Sequence, residues 1–181
     1  MTRRSEIGVP FQFTPENERR CGVLIGKYEQ RRSALLPLLW LVQEQEGMVS
    51  QEAANYVAVK LDMPPREVWE AVTFYVMFRR RDMGKYCIQV CTNITCTLMG
   101  SDRLLEVIHS ELGLKPGEVS KDEQFSLVPV QCLGSCDTGP VVQVNLDYCE
   151  RVDESVLKTL IQKLKSGTYP VEMFESQGVA E

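Results

Sequence analysis

Two short cysteine pairs, Cys91-Thr-Asn-Ile-Thr-Cys96 and Cys132-Leu-Gly-Ser-Cys136, constrain this chain more than any other feature. Each follows a segment that reads as a β-strand. Tyr86, Ile88 and Val90 alternate with Cys87, Gln89 and Cys91, and Phe125 to Val130 forms a second strand-like run. If the two strands are neighbours, both loops leave the sheet at one edge and four thiols face one another. At 181 residues the chain buries a sizeable core without disulfide staples. The cysteines therefore need another explanation.

Gly100, Gly134, Gly139 and Pro140 lie in or beside these loops and let the backbone turn tightly, bringing peptide N–H groups close to a ligand. Thr92, Thr95, Thr97, Ser135 and Thr138 are expected to add hydroxyl donors to sulfur, and Ile94, Leu98 and Leu133 to keep water away. Four thiolates suit a closed tetrahedral zinc site and a binuclear iron–sulfur cluster alike, and the spacing admits both. A thioredoxin-type dithiol is disfavoured, because the chain has no C-x-x-C.

Three further cysteines, Cys21, Cys87 and Cys149, read as ordinary small apolar side chains. His109 is the only histidine, which excludes a histidine-rich metal site and Ser–His–Asp catalysis on this chain. It is expected at a surface or an edge.

The chain before the first pair reads as helical from about residue 15 to 78. Thr14-Pro15 is a cap followed by a first-turn proline. Leu35, Leu38, Leu39 and Val42 recur at helical spacing and Gly47 ends that run. Ser50 caps a helix bearing Ala53, Ala54, Val57, Ala58 and Leu61 on one face, and Pro64-Pro65 opens another through Val68, Val72 and Tyr75. Trp69, Phe74, Tyr75 and Phe78 enrich its end in aromatics, which suits either core packing or a docking surface.

Past Gly84 the period changes. A helical stripe of Leu104, Leu105, Ile108 and Leu112 stops at Gly113. Val141–Val144 and Tyr148–Val152 read as a hairpin joined by Asn145-Leu146-Asp147, and a last helix starts near Asp153. The expected fold class is α/β (α+β), with a small helical bundle followed by a small mixed sheet and flanking helices. Its expected divisions are a flexible N-terminus (1–14), the bundle (15–82), the sheet-bearing domain (83–166) and a tail (167–181).

The net charge of −5, with one short basic run at Arg79-Arg80-Arg81, lacks the footprint of a nucleic-acid binder. The strongest apolar run, Ala34–Val42, is interrupted by Pro37 and falls far short of the ~20 residues of a spanning helix. No export segment follows the basic N-terminus, so a cytoplasmic protein is expected. There is also no G-x-G-x-x-G and no G-x-x-x-x-G-K-[ST] to cradle a nucleotide.

The segments Val90-Cys-Thr-Asn-Ile-Thr-Cys-Thr-Leu-Met-Gly100 and Gln131-Cys-Leu-Gly-Ser-Cys-Asp-Thr-Gly-Pro140 resemble the thioredoxin-like [2Fe–2S] ferredoxins. Within that family the chain is similar to the 24-kDa subunits of NADH:quinone oxidoreductase (complex I), also at Glu70-Ala-Val-Thr-Phe-Tyr75 and Gly113-Leu-Lys-Pro-Gly-Glu118. The likeness spans roughly residues 20 to 165, with small departures at Val72 and Gln131. It implies a thioredoxin-like second domain and one [2Fe–2S] cluster on Cys91, Cys96, Cys132 and Cys136. It also implies a flavin- and NADH-binding partner subunit, with FMN and NADH on that partner, and further iron–sulfur subunits. The chain would then be a one-electron carrier in an oxidoreductase, not catalytic alone, with any membrane attachment made through the complex. Equivalent subunits of NAD(P)-linked or electron-bifurcating hydrogenases and NAD-dependent formate dehydrogenases fit the same motifs. A zinc-stabilised interaction module is the reading of another class.

Overall fold

The computed structural model describes residues 10–169, and expectations for residues before and beyond these lie outside it. The chain divides into two compact units after Asp82.

The first unit is helical: α1 (Pro15–Gly26), α2 (Leu35–Glu46), α3 (Gln51–Leu61) and α4 (Pro65–Phe74). The starts of α1 and α3 are set by side chains that satisfy otherwise orphaned N–H groups. Thr14 Oγ1 accepts from the Asn17 N–H at 3.2 Å, and Ser50 Oγ from the Ala53 N–H at 3.1 Å. α2 ends on Gly47 in the left-handed region, φ 79°. The stretch is not helical throughout: Lys27–Gln30 breaks it, and Arg31–Ala34 is a 3-10 turn. Leu38, Leu39 and Val42 of α2 share a core with Ala53, Ala54 and Val57 of α3 and Val68 and Val72 of α4. Each large apolar side chain buried there contributes about 1.5–3 kcal/mol.

Gln43 is buried in this core, 2% exposed. Its amide donates to the Met77 carbonyl oxygen at 3.0 Å and accepts from the Arg79 N–H at 2.6 Å. One side chain thus pairs with two backbone groups of the segment after α4. The aromatics near that end divide. Phe78 is buried and lies 5.8 Å from Trp40 between ring centroids, and Trp69 packs partly against the core. Phe74 is 76% exposed, and α4 stops there because Tyr75 is extended.

The second unit is a four-stranded mixed sheet with helices. β1 (Tyr86–Cys91), β2 (Phe125–Val130), β3 (Val142–Val144) and β4 (Asp147–Cys149) lie in the order β2-β1-β3-β4. β1 pairs parallel with β2, from Tyr86 against Phe125 to Cys91 against Val130. β1 and β3 are antiparallel, as are β3 and β4. A Cβ on Gly84 would stand 2.5 Å from the Phe125 carbonyl carbon, so only glycine lets the chain enter β1 this close to β2.

Between β1 and β2 run α5 (Ile94–Leu98) and α6 (Ser101–Leu112), and α7 (Glu154–Ser166) follows the sheet. Leu104 and Ile108 of α6 and Leu157 and Ile161 of α7 share one core with Ile88, Val90, Leu127 and Val144. Cys91 has the opposite parity along β1 and therefore faces away from that core. The hairpin differs from the sequence reading. Its turn is Asn145-Leu146, with Asn145 at φ 55°, and β4 starts at Asp147 and stops at Cys149.

Candidate metal centre

Parallel pairing brings the two cysteine loops together. β1 and β2 point the same way, so the chain following each emerges at one edge of the sheet. The Thr92 N–H and Oγ1 both donate to the Val130 carbonyl oxygen, at 2.9 and 3.0 Å, locking the two exits side by side. The Cys91 N–H donates to the Val141 carbonyl oxygen at 3.1 Å, so the second loop passes this edge again as it enters β3.

Cys91 and Cys96 are buried, whereas Cys132 and Cys136 are exposed. Cys96 is carried on α5, whose first N–H is capped by Asn93 Oδ1 at 2.7 Å. Cys91, Cys96 and Val141 form a small cluster of their own, with Leu133 packed against it. The thiols interact with one another: Cys91 with Cys96 and Cys132, and Cys136 with Cys132. Among the described residues, no three His, Cys, Asp or Glu side chains surround a single metal-ion position.

Peptide donors point at sulfur. The Gly134 N–H donates to Cys132 Sγ at 3.3 Å. Burial pushes the Cys91 thiol up, but the N–H groups of Asn93 and Leu133 and the neighbouring thiols outweigh it, and Cys91 titrates below its ordinary range. Burial is also the largest influence on Cys96; with the adjoining Cys91 it raises that thiol despite a donor at Val141. The Cys136 thiol is raised by Cys132 beside it. A Cβ on Gly139 would stand 3.2 Å from Met99 Sδ and 3.4 Å from Cys96 Sγ, so the bare backbone of Gly139 forms one wall of the site.

Several sequence expectations are corrected here. Thr92 and Thr97 donate to carbonyl oxygens of Val130 and Thr92, and Ser135 donates to the Glu150 carboxylate; none of these donates to sulfur. Backbone N–H groups do that instead. Ile94 and Leu98 do not shield the site: they are 71% and 82% exposed, because α5 has only five residues and turns their side chains outward. Leu133 does pack against the cysteines.

Cys21 and Cys87 are buried in helix and strand. Cys149 sits 3.7 Å from the Tyr169 hydroxyl, and burial raises its thiol. His109 is exposed on α6, with Nδ1 3.3 Å from the Leu114 carbonyl oxygen. Sequence reasoning passes over Met99, Tyr148 and Glu150, all of which reach the cysteine loops. The strand-like pattern through Val152 hides the last two.

The four thiols of the two loops, with peptide N–H groups aimed at sulfur, would suit a binuclear iron–sulfur cluster, which spreads four thiolates over two irons. Residues 22–165 match the family of thioredoxin-like [2Fe-2S] ferredoxins. The chain belongs to this family. The NuoE subunit of NADH-quinone oxidoreductase from Rickettsia bellii is 43% identical over 159 residues, covering 86% of this chain and 95% of that one. The protein of the same name from Rickettsia prowazekii is 42% identical over 156 residues, covering 84% and 88%. A solved NAD+-reducing [NiFe]-hydrogenase, in the air-oxidized state, matches 75% of this chain at 20% identity with a TM-score of 0.64. The match covers 23% of that hydrogenase chain, and it shows a shared fold. Among the described residues, no helix is long and apolar enough to cross a membrane.

Proposed function

We propose that this chain is the [2Fe–2S] subunit of an NADH:quinone oxidoreductase, relaying single electrons next to a partner subunit that binds flavin and NADH. Cys91, Cys96, Cys132 and Cys136 are the four ligands of the cluster in this reading. The observation that carries it is the meeting of two cysteine loops at one sheet edge, with peptide N–H groups directed at sulfur. The near full-length likeness to the NuoE subunits of NADH-quinone oxidoreductase supports the choice of machine.

A [2Fe–2S] cluster bound there supplies one-electron transfer. The protein's own contribution is electrostatic and geometric. Peptide dipoles from Asn93, Leu133, Gly134 and Val141 stabilise thiolate charge without adding charge of their own. Burial of Cys91 and Cys96 lowers the local dielectric on one side, while Cys132 and Cys136 open to solvent. Ile94 and Leu98 of α5 and Met99 just after it are exposed apolar side chains, suited to pressing against a partner. Flavin and NADH belong to the partner, since this chain carries no nucleotide cradle motif. The subunit then works on the cytoplasmic side, with attachment to the membrane made by other subunits.

The hydrogenase neighbour favours a second reading, in which the same relay serves an NAD+-reducing hydrogenase. Subunits co-purifying with the tagged full chain distinguish the two. Purified without oxygen, the protein should be reddish-brown, hold about two irons and two sulfides per chain and give an EPR signal when reduced. A colourless, zinc-loaded, EPR-silent preparation would overturn the electron-transfer reading.

A further inference from the structure

The Cys132–Cys136 loop sets part of its own shape through a 3-10 turn at Cys136–Thr138, where the Thr138 N–H and Oγ1 both donate to the Ser135 carbonyl oxygen at 3.2 Å. Both cysteines are exposed, Gly134 between them adopts φ 81°, and the chain from Gln131 to Pro140 belongs to no strand. Further holds come from β4 and the residues just after it. The Tyr148 hydroxyl donates to the Leu133 carbonyl oxygen at 2.7 Å. Ser135 Oγ donates to Glu150 Oε1 at 2.7 Å and lies 2.7 Å from Thr138 Oγ1. The Arg151 N–H donates to the Thr138 carbonyl oxygen at 2.8 Å, and the Val152 N–H to that of Pro140 at 3.0 Å.

Four consecutive or near-consecutive residues thus grip the loop at Leu133, Ser135, Thr138 and Pro140. Leu133 and Ser135 are two of the three residues separating the cysteines. We propose that Tyr148–Val152 is a brace that sets the shape of the Cys132–Cys136 loop before any metal arrives, with Tyr148 and Glu150 as its positioning residues. This explains why β4 ends at Cys149: the chain beyond it turns its polar groups to the loop instead of continuing the ladder. Hydrogen bonds from Ser135 and Thr138 hold the Glu150 carboxyl below its usual range, which keeps an ionised acceptor in place at neutral pH.

The inference rests on Cys132 and Cys136 being ligands for its functional meaning, but its geometry is testable without metal. In the metal-free full chain, the rate at which iodoacetamide labels each cysteine is read by mass spectrometry. In a Tyr148→Phe/Glu150→Ala variant, labelling of Cys132 and Cys136 should change by roughly fivefold or more as two loop anchors are lost, while Cys91 and Cys96 keep their rates. Glu150→Gln retains an amide oxygen for Ser135 and should restore that anchor. In the iron-loaded protein the double variant should alter the EPR line shape at unchanged thermal midpoint, and Glu150→Gln should leave it close to wild type.

Unchanged labelling and EPR in the double variant would overturn the brace. So would equal acceleration at all four cysteines, which would mark general loosening. If wild-type protein takes up no iron and sulfide, the proposed function falls while the labelling result still decides the brace.

Discussion

Cys91 at the end of β1 stands in parallel register with Val130 at the end of β2, and the Thr92 N–H crosses to the Val130 carbonyl oxygen at 2.9 Å. This pairing turns two cysteine pairs some forty residues apart in sequence into neighbours. It requires no disulfide, only that the crossover through α5 and α6 return the chain in the same direction.

Replacing a proposed ligand should remove the native cluster. Cys96→Ser and Cys132→Ser are expected to lose the wild-type EPR spectrum and fall below about two irons per chain. Cys21→Ser, in the helical unit, should keep both. An unchanged spectrum in Cys132→Ser would show the ligand assignment to be wrong.

Gly139→Ala tests the wall of the site. Its new Cβ would crowd Met99 Sδ at 3.2 Å and Cys96 Sγ at 3.4 Å. Met99 is 53% exposed and flexible, while Cys96 is buried, so the methionine should yield first. The expected result is a folded protein with altered EPR g-values, brought back toward wild type by adding Met99→Ala. Circular dichroism checks the fold and EPR the site.

Asn145 should be among the costlier positions in the sheet. Its side chain accepts from the Cys87 N–H at 2.9 Å and donates to the Lys85 carbonyl oxygen at 3.1 Å, on a backbone with φ 55°. Asn145→Ala loses both bonds and strains the turn, and should cost about 2–4 kcal/mol in urea denaturation. Asn145→Gly relieves the strain alone and should cost less.

A pH-dependent contribution comes from Glu18 and Lys60, joined through an ion pair that Tyr56 extends. The Lys60 ammonium and then the Tyr56 hydroxyl hold Glu18 below its usual 4.5. Its share of stability is therefore complete above about 4.5 and lost as the pH falls through the lower folded value. Glu18 holds Lys60 above its usual 10.5, so that share is complete below 10.5 and lost as the pH rises past the higher folded value. Because the pair is near the surface, Glu18→Gln should lower stability by no more than about 1 kcal/mol, within that window, and less in high salt. Thermal midpoints across pH and salt measure this.

The parts of the fold legible in the sequence are those with strong local chemistry. Thr14, Ser50 and Asp153 cap helices by bonds to Asn17, Ala53 and Val156, and Gly47, Gly113 and Gly167 end them in the left-handed region. The alternation in Tyr86–Cys91 marks β1. α5 escapes notice because five residues span little more than one turn, too short for a periodicity. Strand pattern alone extends the hairpin to Val152, because Tyr148 and Val152 are strand formers at alternating positions; tertiary bonds to the cysteine loop take up the N–H groups of Arg151 and Val152 instead. The hydroxyl groups are assigned to sulfur for want of competitors, and in the folded chain carbonyl and carboxylate oxygens, stronger acceptors than sulfur, take them.

The unequal exposure of the four thiols gives the centre a front and a back. Cys132 and Cys136 stand at the mouth, and Cys91 and Cys96 lie behind them. Chelators, oxidants and alkylating agents too large to enter the sheet edge meet the front pair and stop there. Alkylation of the metal-free chain should therefore begin at Cys132 and Cys136 and reach Cys91 and Cys96 later.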